Sequence, residues 1–503
     1  MKTRAFILGG RTGLSDLAAV ALDGVRLRAT LATRRRMQAC RRVLLGATSA
    51  GGTIYGVNTG FGELASRRVS PDALKQLQRN LVLSHACGVG EPLPPEEARA
   101  IMFLRANELS RASSGARPVL VETMARLLNA GAAPLIPSQG SVGASGDLAP
   151  QAHMALLLLG EGRALFRGRL MTAAAVLRRS GVKPLSLEAK EGLSLLNGTQ
   201  AMQAVGGLAL VRALRVWAAA QLAGAMSLEA MTGTPSPFAS GIHALKPHPG
   251  QVRAARQLRS LLENSALRAS HIKDDLRVQD PYSLRCMPQV HGAVWDCLEH
   301  SRQTVEIEFM SATDNPLVVG GRVISGGNFH GMALSFAWDS AGMALTALGN
   351  MSERRISQLV SGTSPRLAPF LARNPGLESG WMIPQVTAAA LASENKVLAH
   401  PASSDSIPTS ANKEDFVSMG MGAALKLRRI TANCATIVAV ELLCAAQGVE
   451  VHRPLRAGKG VEQGLARLRA RVAASAGDEV HGPRIEAVRD LVLSGYFSEV
   501  TAS

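Results

Sequence analysis

Three glycines and little side-chain bulk between Ser138 and Pro150 mark a segment in which the backbone itself could do chemistry. Glycine lacks a Cβ atom and therefore adopts backbone conformations that other residues avoid. In the triplet Ala144-Ser145-Gly146, this freedom would let the Gly146 nitrogen attack the Ala144 carbonyl carbon and close a five-membered ring. Loss of one water from that carbon, and of a second water carrying the Ser145 hydroxyl, would leave an exocyclic methylidene conjugated to the ring. Such a group is an electrophile, which no ordinary side chain supplies.

The same triplet also fits an ordinary turn before a helix, with Asp147 near the N-cap and Pro150 in the first turn. Composition alone favours that interpretation, because loops of small residues are common. The string Ala-Ser-Gly-Asp-Leu, however, resembles the cofactor-forming segment of the histidine/phenylalanine/tyrosine ammonia-lyase family. The resemblance implies that Ala144, Ser145 and Gly146 become 4-methylidene-imidazol-5-one (MIO), and that neither a metal nor a nucleotide is needed.

A glycine-rich loop from Tyr55 to Gly62 contains one of only three tyrosines in the chain. Taken singly, a tyrosine in a turn more often has a structural role, with its hydroxyl satisfied by the backbone. The string resembles the family loop whose tyrosine is the catalytic base, so the resemblance implies that Tyr55 removes the substrate β-proton. Because a free phenol has a pKa of about 10, a cationic or dipolar environment is needed to lower it for this role.

Two further polar strings resemble family positions near the substrate. Ser84-His85 resembles the selectivity position, where histidine occurs in members that act on histidine or tyrosine, and apolar residues occur in those that act on phenylalanine. Asn197 precedes a long apolar helix and by itself indicates an N-cap. In the family the matching asparagine touches the methylidene ring and the substrate. His85 alone leaves histidine and tyrosine both open.

The string from Val278 to Cys286 places a second tyrosine beside an arginine. A guanidinium group matches the geometry of an amino-acid carboxylate. By resemblance, Arg285 binds that carboxylate, while Tyr282 and Gln279 line the ring and assist. The Gly-Asn-Phe-His string that follows Gly326 resembles the family loop in which a phenylalanine, here Phe329, packs near the cofactor.

The string that begins at Pro401 ends in Lys413-Glu414-Asp415. Histidine-specific members end a similar string with a glutamate that holds the substrate imidazole, whereas members that prefer phenylalanine or tyrosine tend to have an amide there. Glu414 therefore favours histidine, since a carboxylate accepts a hydrogen bond from an imidazole N–H. The match departs from the family at Lys413, where glutamine is usual, and at Phe416, where histidine is usual.

Two other departures are Met287, at a variable position, and Met332-Ala333, which replaces a polar-Pro pair. The departures beside Glu414 bear on the substrate more than on the reaction. The residues and the resemblance favour non-oxidative elimination of ammonia from L-histidine to give urocanate. The alternatives are a tyrosine ammonia-lyase or aminomutase of the same family and, from another class, a non-catalytic helical scaffold or polyanion-binding homologue.

Helices must position these loops, because hydrophobic residues make up 47% of the 503 residues and aromatic residues only 4%. The core is therefore built from Ala, Leu, Val and Met, of which Ala and Leu favour helices. Apolar spacing predicts helices at about 27–45, from 71, and at 95–110, 118–130, 151–159, 198–231, 291–310, 331–359, 385–398 and 417–447. A short hairpin is predicted around Gly168, and short strands are predicted at 317–319 and 322–324, on either side of Gly320-Gly321.

The predicted fold is mainly α, a bundle of long helices with a small mixed N-terminal region, and the resemblance implies the fumarase/aspartase-like architecture. We expect an N-terminal region (1–200) with the base loop and the MIO segment, a central helix bundle (201–450) and a C-terminal helical region (451–503). The resemblance also implies a homotetramer with shared active sites.

The net charge of +17 suggests nucleic acid as a partner. The densest arginine runs, at 34–36, 41–42 and 467–471, have no interleaved aromatic residues, which favours solvated helix faces over a specific nucleic-acid site. Six cysteines without a CxxC pair or zinc spacing favour reduced thiols in the cytoplasm. The apolar run 430–449 is interrupted by polar residues, so a core helix is favoured over a membrane span.

Overall fold

The computed structural model describes residues 5–50, 53–60, 67–273, 275, 277–362, 364 and 366–501. Phe61 and Gly62, which end the predicted base loop, lie outside the described residues. The chain divides into a first unit of Met1–Leu208, Arg302–Trp338 and Pro401–Leu425, and a second unit of Ala209–Ser301, Asp339–His400 and Lys426–Ser503. Both units are discontinuous in sequence, and the three-region division at residues 200 and 450 stays a prediction.

Helices of moderate length make up most of the first unit. They are Leu14–Ala21, Leu31–Ser49, Leu74–His85, Pro95–Leu109, Pro118–Ala130, Leu148–Leu159, Ala173–Arg179 and Glu191–Leu196, with 3₁₀ turns at Pro71–Ala73 and Ser410–Asn412. Local signals set their ends. Thr30 begins one helix by accepting a hydrogen bond from the Thr33 N–H, and Gly131 and Gly160 end two others in the left-handed conformation.

Short strands join these helices. Phe6–Ile7 pairs in parallel with Leu27–Arg28, and the remaining pairs are antiparallel. The antiparallel sheets are Val89–Pro92 with Pro137–Gln139, the three-stranded Ala132–Pro134, Arg163–Phe166 and Arg169–Thr172, and Leu317–Val319 with Arg322–Ile324. The strands on either side of Gly168 confirm the predicted hairpin, and those on either side of Gly320-Gly321 confirm the two predicted strands and pair with each other.

The second unit contains the helices Ser240–Ala244, Pro249–Leu261, Ala266–Ala269, Tyr282–Arg285, Met382–Leu398, Lys459–Arg469 and His481–Ser494, with 3₁₀ turns at Ser236–Phe238 and Pro369–Leu371. Four long helices contain residues of both units: Gln200–Ala230, Met287–Phe309, Met332–Val360 and Gly420–Val451. Within the second unit, a Cβ atom at Gly250 would lie 2.1 Å from the Gly292 carbonyl oxygen. Glycine at this position therefore allows two helix backbones to touch.

The mainly α prediction is confirmed, and most helix ends lie within a few residues of those predicted. The predicted helix at about 27–45 is wrong at its start. Leu27 and Arg28 pair with the strand at Phe6–Ile7, and the helix begins only after the Thr30 cap. Tertiary pairing here outweighs local helical preference.

Two helices, Gln200–Ala230 and Gly420–Val451, are long and apolar enough to cross a membrane when judged by length and composition alone. Most of the apolar stretch of each is buried inside the protein. Buried apolar helices of this kind are also found in the cores of proteins without membrane spans.

Candidate active site

The turn at Ser145 has an unusual backbone conformation. Ser145 has φ of 51° and Gly146 has φ of 78°, which places two successive residues in the left-handed region. This region is costly for a residue with a side chain. A Cβ atom at position 146 would lie 2.2 Å from the Gly198 carbonyl oxygen, so this position requires glycine. The strained turn agrees with the tight conformation that the sequence predicts for the triplet.

Asn197 and Gly198 hold the turn by its backbone. The Asn197 side-chain amide donates to the Ser145 carbonyl oxygen at 2.7 Å, and the Gly198 N–H donates to the same oxygen at 3.3 Å. In return, the Asp147 N–H donates to the Gly198 carbonyl at 2.8 Å. If the triplet cyclises, the Ser145 carbonyl is the one conjugated to the methylidene. Two donors aimed at this oxygen stabilise negative charge there, so these residues fit the MIO group.

Arg105, on the helix Pro95–Leu109, supports this backbone from the interior of the first unit. Its fully buried guanidinium donates to the Asn197 carbonyl at 2.9 Å and to Glu108 at 2.7 Å. Its Nε donates to Gln151, whose amide donates to the Gly198 carbonyl at 2.8 Å. Burial raises the pKa of Glu108, and Arg105 opposes that shift. Arg105 was not among the site residues predicted from the sequence, although its charged i, i+3 pair with Glu108 on a mostly buried helix was an available signal.

Asp147 precedes the helix Leu148–Leu159, as the sequence predicts, but its side chain does not cap that helix. One carboxylate oxygen accepts from the Met202 N–H at 2.7 Å, in the first turn of the helix Gln200–Ala230, and the other from the Ser141 hydroxyl at 2.9 Å. Burial raises the pKa of Asp147 to about 6, with the Met202 N–H and Ser141 opposing. Asp147 therefore fixes the triplet to a second helix.

Glu414 contacts the Ser145 side chain. Its Oε1 accepts a hydrogen bond from the Ser145 hydroxyl at 3.0 Å, and its Oε2 accepts one from the Thr409 hydroxyl at 2.8 Å. The backbones of Thr409 and Glu414 also pair across a narrow loop, with distances of 2.9 and 3.3 Å. The carboxylate is therefore held from both ends and directed at Ser145.

Two cavities of the first unit share this centre. One, of about 410 Å³, is lined by Tyr55, His85, Ser145, Asn197 and Glu414 together with apolar side chains. The other, of about 450 Å³, is also lined by Tyr55, Ser145, Asn197 and Glu414, and it extends past Ala144. The combined space suits a small amino acid.

His85 ends the helix Leu74–His85, and its Nδ1 lies 3.0 Å from the Ser84 hydroxyl. Burial lowers the pKa of His85, while the nearby Glu414 carboxylate opposes that shift. Tyr55 is half-buried in its loop. Both residues line the first cavity beside Ser145 and Glu414.

The second cavity is bordered by Phe329, Lys413 and Phe416. Phe329 is half-buried, and its neighbour His330 stacks on the Phe416 ring with the centroids 5.9 Å apart. Phe416 is 60% exposed. Both departures from the family pattern beside Glu414 therefore border the cavity.

The second unit carries the remaining predicted site residues. Gln279 and Tyr282 are exposed, and Tyr282–Arg285 forms a short helix. The Arg285 guanidinium carbon lies 4.6 Å from the centre of the Tyr282 ring, and the buried Arg285 Nε has no hydrogen-bond partner among the described residues. Met287, the departure that follows this segment, is buried.

The structure thus brings eight of the predicted residues together in the first unit: Tyr55, His85, Ala144, Ser145, Gly146, Asn197, Phe329 and Glu414. Gln279, Tyr282 and Arg285 form a separate group in the second unit. The role of each residue in a reaction stays a prediction. In the described part of the chain, no group of three or more His, Cys, Asp and Glu side chains is placed to hold a metal ion.

Comparisons with known proteins agree with this geometry. Residues 12–470 match the family model described as aromatic amino acid lyase. A histidine ammonia-lyase from Stigmatella aurantiaca is 49% identical over 98% of this chain and 97% of its own. The crystal structure of a histidine ammonia-lyase from Trypanosoma cruzi is 41% identical, with a TM-score of 0.91 over 98% of this chain and 94% of its own. A tyrosine aminomutase from Streptomyces globisporus is 36% identical, with a TM-score of 0.93 over 99% of this chain and 98% of its own.

Proposed function

The chain belongs to the aromatic amino acid lyase family, and on that premise we propose that it eliminates ammonia from L-histidine to give urocanate. The observation that carries the choice of substrate is the placement of Glu414. Its carboxylate lies 3.0 Å from the Ser145 hydroxyl in a cavity that also contains His85 and Tyr55. A carboxylate in this position suits an imidazole N–H better than a phenyl ring.

The Ala144-Ser145-Gly146 triplet is the proposed source of MIO, which supplies the electrophile that makes the substrate amine a better leaving group. Asn197 and the Gly198 N–H hold the Ser145 carbonyl oxygen and stabilise negative charge on it. The Asn197 Oδ1 is buried without a hydrogen-bond partner among the described residues, and we assign it to the substrate amino group. Tyr55 then removes the β-proton.

His85 and Glu414 are the proposed imidazole-binding pair. Because burial lowers the pKa of His85, its ring is neutral near pH 7. Its Nδ1 is engaged by Ser84, so we assign Nε2 to the substrate. A neutral histidine together with a carboxylate can hold both nitrogens of a substrate imidazole.

Arg285 is the proposed ligand of the substrate carboxylate, with Gln279 and Tyr282 beside it. A half-buried guanidinium whose Nε has no partner among the described residues is ready to form a charge-assisted pair. The family resemblance implies a homotetramer in which subunits share active sites, and we propose that a neighbouring subunit supplies this segment. Replacing Arg285 with lysine should raise KM more than it lowers kcat, because lysine cannot form the bidentate pair.

A substrate panel tests the proposal. Purified protein incubated separately with histidine, tyrosine and phenylalanine should produce ultraviolet absorbance of a conjugated acrylate with histidine alone. The likeness to a tyrosine aminomutase makes tyrosine chemistry the second candidate. Acrylate formed only from tyrosine, or a β-amino acid recovered as product, would replace the histidine proposal.

The mass of the intact chain tests catalysis against a non-catalytic scaffold. Mature protein should be lighter than its sequence by two waters, and Ser145→Ala should abolish turnover while the helical circular dichroism is kept. A chain of full sequence mass would favour the scaffold or polyanion-binding alternative. A cytoplasmic location is also a proposal, supported by six cysteines that are all free thiols.

A further inference from the structure

The hydrogen bond between Ser145 and Glu414 bears on how the ring itself is made. We propose that Glu414 is the proton donor that removes the Ser145 hydroxyl as water during ring formation. This maturation role is separate from the binding of substrate. It rests on the proposed function only in requiring that residues 144–146 cyclise.

The geometry favours proton transfer between these two side chains. Glu414 Oε1 lies 3.0 Å from the Ser145 Oγ, within the distance over which general acids act. The ionised carboxylate accepts from the Ser145 hydroxyl, and in the protonated form of Glu414 the same contact reverses, so that the carboxyl group donates to Oγ. The Thr409 hydroxyl holds Oε2 at 2.8 Å, and the paired backbones of Thr409 and Glu414 fix the loop. The carboxyl group is therefore positioned on the leaving hydroxyl before any substrate binds.

The structure also favours the other half of the elimination, which is loss of the proton on the Ser145 Cα atom. Elimination of the hydroxyl requires loss of the proton on the Ser145 Cα atom, and negative charge then develops on the Ser145 carbonyl oxygen. Asn197 Nδ2 and the Gly198 N–H both donate to that oxygen, at 2.7 and 3.3 Å. These donors make the Cα proton more acidic, while Glu414 makes the hydroxyl a better leaving group.

Ring formation loses two waters, one after the other. The first water takes the Ala144 carbonyl oxygen with the protons of the Gly146 and Ser145 nitrogens, and leaves the ring. In the second step the Cα–H bond of Ser145 breaks, its electron pair forms the Cα–Cβ double bond, and the Cβ–Oγ bond breaks. Oγ takes the Glu414 proton and leaves as water. The Cα proton passes to solvent water, from which Glu414 is reprotonated.

Asp147 is the nearest alternative acid in sequence, with a pKa raised to about 6 by burial. Its two oxygens accept from the Ser141 hydroxyl and the Met202 N–H. Among the described residues, the Ser145 hydroxyl donates its hydrogen bond to Glu414. The contacts therefore favour Glu414 over Asp147 as the proton donor.

A time course of intact mass tests the proposal without measuring turnover. The full chain is synthesised in a short pulse. The fractions of chains that have lost zero, one or two waters are then followed over time for the wild type and for Glu414→Gln. Glutamine preserves size and hydrogen bonding but cannot transfer a proton. We expect loss of the second water to slow by at least about 100-fold, with accumulation of a species that lacks one water.

His85→Ala is the matched control. His85 lines the same cavity, but its hydrogen bond is to Ser84 and not to Ser145. This variant should therefore lose both waters at the wild-type rate while binding substrate poorly. Circular dichroism checks that each variant folds. If Glu414→Gln does not fold, Thr409→Val removes the hydroxyl that holds Oε2 and should slow the second loss less severely.

Loss of both waters from folded Glu414→Gln at the wild-type rate would overturn the proposal and leave Glu414 a role with substrate alone. For Thr409→Val, an unchanged rate would count against it in the same way. A wild-type chain that never loses two waters would instead overturn the proposed function. The two failures are therefore distinct.

Discussion

Each unit contains a buried cluster built on an arginine–glutamate ion pair, and the two clusters support different parts of the protein. In the first unit, Arg105 pairs with Glu108 at 2.7 Å. In the second, Arg355 pairs with Glu441 through two hydrogen bonds, at 2.5 and 2.9 Å. Both guanidinium groups are completely buried. Because desolvation offsets much of the attraction in such a pair, net stability is a weak explanation for either one.

The clusters differ in what else they hold. Arg105 donates to the Asn197 carbonyl, and so supports the backbone that binds the Ser145 carbonyl oxygen. Arg355 donates at 3.2 Å to the Ser283 carbonyl, inside the short helix Tyr282–Arg285. The first cluster therefore positions the proposed electrophile, and the second positions the proposed carboxylate-binding segment. Substitutions that break one cluster at a time should therefore have different effects, the first on loss of the two waters and the second on KM.

The largest effect is expected for Arg105→Met. The substitution leaves Glu108 and the Asn197 carbonyl buried without their partner, which should lower the free energy of unfolding by about 3–5 kcal/mol. Folded protein should lose its two waters far more slowly, since the donors to Ser145 are no longer held in place. Denaturant unfolding and intact mass measure the two effects.

Arg99→Met is the control for this prediction. Arg99 lies on the same helix, is partly buried, and donates to the Leu128 and Val20 carbonyls rather than to Asn197. It should mature at the wild-type rate. Normal maturation of Arg105→Met would mean that the first cluster has no role in positioning the triplet.

Arg355→Met should be nearly as destabilising, by about 3–5 kcal/mol, because Glu441 is left buried and unpaired by arginine. Its mature mass should still show the loss of two waters, whereas KM for the substrate should rise as the Tyr282–Arg285 helix loses its support. Arg354→Met is the neighbouring control, since Arg354 is 61% exposed. Arg354 pairs with Glu353, which is only 6% exposed, so this variant removes a neighbouring arginine and leaves the Arg355–Glu441 pair intact. An unchanged KM for Arg355→Met would remove the proposed distinction between the clusters.

Local sequence was enough to predict some parts of the site but not the two buried clusters. The Ala144-Ser145-Gly146 triplet, Glu414 and the helix Pro118–Ala130 were identified from local strings and periodicity. Neither cluster was identified in this way. The Arg105–Glu108 pair is local in sequence, but the contacts that show what each cluster holds join residues that are far apart in sequence. Arg105 meets the Asn197 carbonyl across 92 positions, and Arg355 meets Glu441 across 86.

Asp147 illustrates the same limit within one residue. Its place before the helix Leu148–Leu159 followed from the sequence, but its carboxylate binds the Met202 N–H, 55 positions away. A side chain beside a helix start predicts a cap only when no other helix offers its own free N–H groups nearby. Which helix lies nearby is set by tertiary packing.

The next effect in size is the pH dependence that Asp147 gives the first unit. Its pKa is raised by burial from 3.8 to about 6, so the folded state binds this proton more tightly than the unfolded state. The contribution to stability is complete below pH 3.8 and is lost as pH rises through about 6. At about 1.4 kcal/mol per pKa unit, the loss is about 3 kcal/mol. Asp147→Asn should remove this loss, so the stability difference between wild type and variant should change between pH 4 and 6. A constant difference would contradict the assignment.

The smallest effect has the opposite sign and comes from His291 in the second cluster. Its Nδ1 donates a hydrogen bond to the Gln221 Oε1, and its Nε2 lies 3.4 Å from an Arg355 nitrogen. Nε2 therefore accepts a hydrogen bond from arginine, and the imidazole is neutral. Burial, and then the Arg355 charge, lower the pKa of His291 well below 6.5. The unfolded state therefore binds the proton more readily, and stability present above pH 6.5 is lost as pH falls, by at most about 1.4 kcal/mol per pH unit.

His291→Gln cannot titrate, so its stability relative to wild type should improve as pH falls from 6.5 to 5.5. Since Asp147 in the first unit and His291 in the second act in opposite directions, a pH series on both variants distinguishes the two units, and slopes of the same sign would contradict these assignments.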